Sequence, residues 1–177
     1  MKNIGIIRRL DELGRVVIPR EYRKLHHINV GDPLEIFAID TGSIIINKMD
    51  NTSDLIQVGE AVCTSLSAEL GMTAAAANFE RLLVCVGHGK QVLIERELPH
   101  NVVKMLKNRG SYNGPITGDE VGRFPDVGFS YIAVAPLFSV DECFGGLVAF
   151  SEKPISEAAV ASLKLAGRLA GDALQRY

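Results

Sequence analysis

The chain lacks a stretch that could cross a membrane. No apolar run approaches the roughly 18 to 20 residues that a membrane span needs. The first residues lead into Arg8 and Arg9 rather than into the uninterrupted apolar core of a signal peptide. We therefore expect a cytoplasmic protein.

Cysteine is also scarce. The three cysteines, Cys63, Cys85 and Cys143, are odd in number, and no two lie close enough in sequence to form the paired ligands of a zinc site. Their sequence neighbours are apolar, so we expect three small buried side chains. We expect neither a metal site nor a cofactor.

Charge of neither sign dominates, but its distribution is uneven. The 177 residues carry a net charge of -2. Residues 1–24 hold seven Lys and Arg against three Asp and Glu, a net charge of +4, so residues 25–177 carry -6. With 47% hydrophobic and 23% charged residues the composition is that of a globular protein rather than a disordered one. A basic start on an acidic remainder indicates that only the start meets a polyanion.

Residues 1–50, which we call the head, begin with two short strands around a turn. Apolar alternation over 4–10 and the β-branched run 16–18 predict the strands. Between them, Asp11–Gly14 has turn chemistry. Pro19 predicts the start of a short helix over 20–25.

The second half of the head predicts a β-hairpin. Residues 34–39 and 43–48 are apolar runs joined by Asp40-Thr41-Gly42. Both strands are apolar on nearly all positions and should be covered on both faces, which a chain of this length cannot do alone. We therefore expect a symmetric dimer in which strands of two chains interleave.

A long block of residues in the head is specific enough to carry a family resemblance. The matching residues are Gly5-Ile6, the block 11–19, Arg23, the run 31–36 and the closing strand up to Lys48. This part of the chain resembles the swapped-hairpin DNA-binding domain of the AbrB-type transition-state regulators. The resemblance implies a domain-swapped dimer on double-stranded DNA, and therefore a nucleoid-associated transcription regulator of sporulation or transition-state genes.

The resemblance also implies which side chains lie against the DNA major groove. On the matching positions these are Arg8, Arg15 and Arg23, with Arg9 and Lys2 as auxiliary contacts. Lys24 stands where relatives usually carry a second arginine. Because a lysine cannot make the two-pronged contact of a guanidinium, we expect Lys24 to contact a phosphate.

The residues themselves support this assignment. Strand alternation places Arg8 and Arg9 on opposite faces, and Arg15 follows Gly14, where the chain can turn sharply and approach a ligand. Bidentate arginine contacts suit guanine edges, whereas phosphate contacts supply salt-dependent affinity. No recognition helix is evident, so DNA shape should contribute to specificity.

After the head, residues 51–53 are expected to link to a C-terminal domain of residues 54–177; we call residues 51–177 the body. Apolar and small positions repeat at helical spacing from Asp54 to Leu70, where Gly59 and Ala61 would admit another helix. The remaining elements are expected to be strands 72–79, 81–86, 130–138 and 144–151, a helix over 99–107, a loop over 111–128 and a closing helix after Ser156.

This order of elements is similar to a GAF-type sensory domain. The resemblance implies a GAF-like α/β sandwich whose terminal helices associate, which would join dimers into a tetramer. It also implies a small effector held by the sheet face and loops, although no ligand-binding residue is assigned. The whole chain is then an α+β protein.

Two other classes of function remain open. Related swapped-hairpin heads occur in antitoxins, but an antitoxin is expected to carry a short disordered tail rather than a patterned body. As an enzyme, the protein could use Cys85 or Cys143 as a redox thiol, yet nothing beside them in sequence suggests a lowered thiol pKa. His100, Asp119 and Glu120 form no catalytic set, so we expect no catalytic residue and no enzyme.

Overall fold

A computed structural model describes residues 6–26, 28, 30, 34–40, 42–48, 52–122, 124, 128–140 and 142–175. The chain divides into two compact units, residues 1–50 and 51–177. These units are the head and the body, and each is described by itself.

The head contains one short helix and one hairpin. Helix α1 spans Arg20–Leu25 and begins after Pro19, whose fixed backbone angle suits a helix start. Strands β1 (Leu34–Ile39) and β2 (Ser43–Lys48) pair antiparallel. The sequence predictions for α1 and for both hairpin strands are confirmed at these bounds.

The two strands predicted at the start of the head are absent from its described part. Residues 6–10 and 16–18 have no strand pairing, and Ile7 and Val17 are 89% and 74% exposed. A strand needs a neighbouring strand for its backbone hydrogen bonds. In this chain β1 and β2 pair with each other, so that prediction is wrong for the single chain.

The body is built on a five-stranded antiparallel sheet with the strand order β4-β3-β7-β6-β5. Its elements are α2 (Thr52–Leu70), β3 (Thr73–Ala77), β4 (Leu82–Val86), α3 (Lys90–Leu93), α4 (His100–Lys107), β5 (Tyr112–Pro115), β6 (Tyr131–Phe138), β7 (Cys143–Ser151) and α5 (Glu157–Leu174). Helix α2 starts at Thr52, so Thr52 and Ser53 are helical rather than part of a linker. The expected 111–128 loop contains β5, which the sequence analysis missed, as it missed α3.

Apolar side chains cover both faces of this sheet. On one face α2 and α5 bury residues such as Leu55, Leu147 and Leu163. On the opposite face α3, α4 and the following loop bury a second cluster that includes Leu106, Val134 and Phe150. The fold is therefore a three-layer sandwich with a separate core on each side of the sheet.

Glycines allow the long helices to lie directly on the sheet. A Cβ at Gly59 of α2 would lie 2.8 Å from the Ala76 Cβ in β3, so Gly59 admits a strand rather than the second helix predicted from sequence. On α5, a Cβ at Gly167 would lie 2.5 Å from the Pro136 oxygen of β6, and one at Gly171 would collide with the Phe138 carbonyl. Both helices thus depend on glycine for their contact with the sheet.

Candidate nucleic-acid interface

Two of the predicted DNA contacts, Arg8 and Arg9, lie in an exposed segment outside the helices and strands. Arg8 and Arg9 are both exposed in the stretch before the turn, where the chain has no regular structure. Because no strand forms there in the single chain, the structure leaves their assignment to opposite faces untested. Lys2 lies outside the described residues.

The turn that carries Arg15 is held together by Asp11. One carboxylate oxygen of Asp11, Oδ1, accepts the backbone N–H groups of Leu13 at 3.0 Å and Arg15 at 2.8 Å. The backbone closes the same turn, since the Asp11 N–H donates to the Arg15 oxygen and the Gly14 N–H donates to the Asp11 oxygen, each at 3.0 Å. Gly14 has a φ of 75°, a left-handed conformation that glycine adopts without strain.

The second carboxylate oxygen of Asp11 reaches the Arg15 side chain. Arg15 Nε lies 2.8 Å from Asp11 Oδ2, and the two side chains are 71% and 44% exposed. Two hydrogen bonds from Arg15 hold the pKa of the Asp11 carboxyl below its ordinary value. The one from the Arg15 backbone N–H has the larger effect, and the one from the Arg15 side chain has the smaller. Asp11 was not predicted as a site residue, although turn chemistry at that position was recognised.

Two further predicted contacts lie on α1. Lys24 is exposed in the last turn of the helix, where a positive charge suits the helix dipole. Arg23 is half-buried, and its Nε is a buried atom without a hydrogen-bond partner in the described chain. An unpaired buried N–H is costly, so its acceptor is expected outside these residues.

Four of the five predicted contacts that the structure describes are exposed, namely Arg8, Arg9, Arg15 and Lys24, and the fifth, Arg23, is half-buried. The described part of the head also exposes large apolar side chains. Ile36, Ile44 and Val30 of the same unit are 66%, 70% and 92% exposed.

Burial raises the pKa of all three cysteines of the body. Burial raises the pKa of Cys63 and of Cys85 to about 12. Burial also raises the pKa of Cys143, whose Sγ donates to the Leu106 oxygen at 3.3 Å. Cys63 is buried as predicted, whereas Cys85 and Cys143 are only half-buried. A thiol with a raised pKa is a poor nucleophile because the thiolate reacts.

Two open cavities lie among the described residues of the body, near the ends of its strands and in a loop. A cavity of about 430 Å³ opens where β3 begins and where β4 and β7 end, beside Thr73, His88, Phe129 and Lys153. A smaller one of about 280 Å³ lies in the loop after β5. The sheet face that was expected to hold an effector is instead filled by its own core.

Among the residues that the structure describes, no three metal-binding side chains form a cluster, and no helix is long and apolar enough to span a membrane.

Comparison with known proteins assigns each unit to a class. Residues 7–53 match the family described as "Antidote-toxin recognition MazE, bacterial antitoxin". The fold resembles the GAF-B domain of DevS from Mycobacterium smegmatis, with a TM-score of 0.54 and 17% identity over 72% of this chain and 94% of that chain. The protein thus combines a MazE/AbrB-type N-terminal domain with a GAF-like C-terminal fold.

Two relatives from Bacillus subtilis (strain 168) narrow this class. Stage V sporulation protein T is 28% identical over 153 residues, which are 86% of each chain. The putative transition state regulator Abh is 39% identical over 71 residues, which are 40% of this chain and 74% of the relative. The chain belongs to the AbrB-type transition state regulators.

Proposed function

We propose that this protein is a transcription regulator that binds double-stranded DNA through a dimer of its head. The observation that carries the proposal is the exposed arginine set of the head, on a segment of net charge +4 in an otherwise acidic chain. Positive side chains neutralise DNA phosphates and supply most of the salt-dependent affinity. Genes of sporulation or the transition state are the proposed targets, because the relatives carry those names.

The dimer is supported by the apolar surface of the head. Ile36, Phe37, Ile44 and Ile45 are all exposed in the single chain. Water contact with so many large apolar side chains is unfavourable by about 25 cal/mol per Å². A second copy whose strands interleave with residues 6–18 and the hairpin would cover them. It could also provide the acceptor for the buried Nε of Arg23.

The body is proposed to assemble dimers into a tetramer and to bind a small effector. Leu165 and Leu169 lie one helical turn apart on α5 and are 61% and 62% exposed, so they form an apolar stripe that a second body would cover. The 430 Å³ cavity falls within the range of small-molecule sites. A domain boundary between residues 50 and 51 is also part of this proposal.

The DNA contacts can be tested by alanine substitution in the intact protein. Arg8→Ala and Arg15→Ala should each weaken binding to a duplex by about 1 to 3 kcal/mol if they contact bases. Lys24→Ala should weaken binding to all sequences alike and reduce its salt dependence. The duplex is selected from a random-sequence pool with the unmodified protein, and affinity is measured by fluorescence anisotropy at several salt concentrations.

Lys104→Ala is the matched control, because it removes one exposed positive charge from α4 of the body. It should leave the affinity unchanged. If Arg8→Ala and Arg15→Ala both behave like Lys104→Ala, the assignment of the DNA contacts is wrong.

The second candidate is an antitoxin-like module that binds a protein partner, which the description of the family matching residues 7–53 favours. The body argues against it, since an antitoxin tail is expected to be disordered until it binds. Limited proteolysis distinguishes the two. A resistant fragment covering the body supports the regulator, and rapid loss of that fragment supports the antitoxin.

A further inference from the structure

The Asp11 side chain uses both of its oxygens on one short turn. Oδ1 accepts the N–H groups of Leu13 and Arg15, and Oδ2 accepts the guanidinium Nε of Arg15. Together with the two backbone hydrogen bonds of the turn, these contacts fix the path of residues 11–15. They also fix one edge of the Arg15 guanidinium relative to that path.

This arrangement is poorly explained as a device for stability. Both side chains of the pair are largely exposed. Exposed ion pairs contribute little to folding, because water screens the charges and both side chains lose conformational freedom. The main consequence of the contact is therefore the orientation it gives to the arginine.

Because Asp11 binds Nε of Arg15, the terminal nitrogens of the guanidinium remain available for another partner. A guanidinium has five N–H donors in a rigid plane, and Asp11 occupies the one on Nε. Among the described residues no hydrogen bond reaches the terminal nitrogens of Arg15. The two terminal nitrogens form one of the donor pairs with which a guanidinium can contact the O6 and N7 atoms of guanine, and this pair stays available while Asp11 holds Nε.

We propose that Asp11 is a positioning residue that orients Arg15 for base recognition and makes DNA binding selective. This inference rests on the proposed function, since it requires Arg15 to contact DNA. Asp11 restricts the rotation of the guanidinium before DNA arrives, so less freedom is lost on binding. Its negative charge also offsets the attraction of Arg15 for any phosphate, which lowers affinity for unrelated sequences.

The test compares Asp11→Asn with Glu12→Gln. Both variants remove one negative charge from the same turn, but the exposed Glu12 side chain makes no hydrogen bond or ion pair with another described residue. Asparagine keeps an oxygen that can accept the N–H groups of the turn and loses the carboxylate that holds Nε. Affinity is measured for the selected duplex and for a scrambled duplex of the same composition, after light scattering and circular dichroism establish that each variant is assembled and folded.

The expected result of Asp11→Asn differs between the two duplexes. Asp11→Asn should lose on the order of tenfold in affinity for the selected duplex, because the guanidinium must then be immobilised when DNA binds. It should bind the scrambled duplex equally or more tightly. Glu12→Gln should not weaken either interaction. If Asp11→Asn fails to fold, Asp11→Ser replaces it, since a serine hydroxyl can accept a turn N–H but is too short to reach Arg15.

A double-mutant cycle separates positioning from a purely structural role. In an Arg15→Ala background, Asp11→Asn should have no further effect on the selected duplex. An equal loss in that background would overturn the inference, as would Asp11→Asn behaving like Glu12→Gln. If Arg15→Ala itself leaves affinity unchanged, the proposed contact of Arg15 with DNA fails and the inference fails with it. If Arg15→Ala weakens binding and Asp11→Asn does not, the inference fails alone.

Discussion

In the head, the apolar residues of the hairpin lie at the surface, whereas the sheet of the body is covered on both faces. Ile44 in β2 is 70% exposed, while Ile132 in β6 is fully buried. The two units have similar apolar content in their strands but differ in how much chain is available to cover them. A body of 127 residues can bury two cores. A head of 50 residues is too short to do so, and we propose that a second chain covers it.

The largest effect is expected from a charge on the hairpin of the head. In the single chain, Ile44→Asp would alter an exposed residue and change little. In the proposed dimer it would bury an unpaired carboxylate, which costs several kcal/mol. We therefore expect loss of the dimer and of DNA binding, measured by light scattering and fluorescence anisotropy.

Val140→Asp is the control, because Val140 in the body is 64% exposed. It should leave both the assembly and the DNA affinity as they are. A dimer of Ile44→Asp that binds DNA normally would show that the head does not need a partner over this strand.

Removal of buried side-chain volume from the body should have the next largest effect. Leu163 of α5 is 1% exposed in the core between α5 and the sheet, so Leu163→Ala should destabilise the body by about 2 to 5 kcal/mol. Val140→Ala on the surface should change stability by no more than about 0.5 kcal/mol. Thermal unfolding followed by circular dichroism measures both, and similar values for the two would contradict a close-packed body.

A third change tests whether the body also has a partner. Leu165→Lys combined with Leu169→Lys should convert the proposed tetramer into a dimer, since two charges would be placed on the exposed stripe of α5. The head should still bind DNA. Val92→Lys, at an exposed position of α3, is the control and should leave the mass unchanged. An unchanged mass in the double variant would exclude this stripe as the interface.

The smallest effect concerns the thiols of the body. With pKa values of about 12, Cys63 and Cys85 should react with iodoacetamide at pH 8.5 far more slowly than in the unfolded chain. Because folding raises the pKa from 9.0, the thiols favour the folded state below pH 9, and this contribution is lost as the pH rises towards 12. Mass spectrometry after timed alkylation gives the rates, and equal rates for native and unfolded protein would show that the body opens readily.

Prediction from sequence was most accurate where local chemistry decides the structure. Pro19 and the Asp40-Thr41-Gly42 turn determined α1 and the hairpin without reference to distant residues. It failed over 6–18, because those residues have no strand partner within their own chain. It missed β5 because the polar YNGP segment is a strand only through its pairing with β6.

The candidate DNA-binding site was also predictable only in part. The arginines could be named from the family resemblance, but the contact between Asp11 and Arg15 required the turn to be built. The burial of Arg23 Nε could not be inferred either, since the sequence gives no sign that a charged side chain on a short helix is half-enclosed. The filling of the second sheet face depends on tertiary packing of residues far apart in sequence.

The glycine contacts of α5 limit how the body can move. Gly167 lies against the carbonyl of Pro136, and Gly171 lies against the carbonyl of Phe138. The helix therefore contacts the backbone of β6 closely at two positions one helical turn apart. Sliding the helix along the strand by one residue would drive side chains into those carbonyls, and close-packed interiors do not deform continuously. We therefore expect α5 and the sheet to move together rather than to shear. A signal from the proposed effector would then have to displace helix and sheet together, or travel through the loops at the ends of the strands.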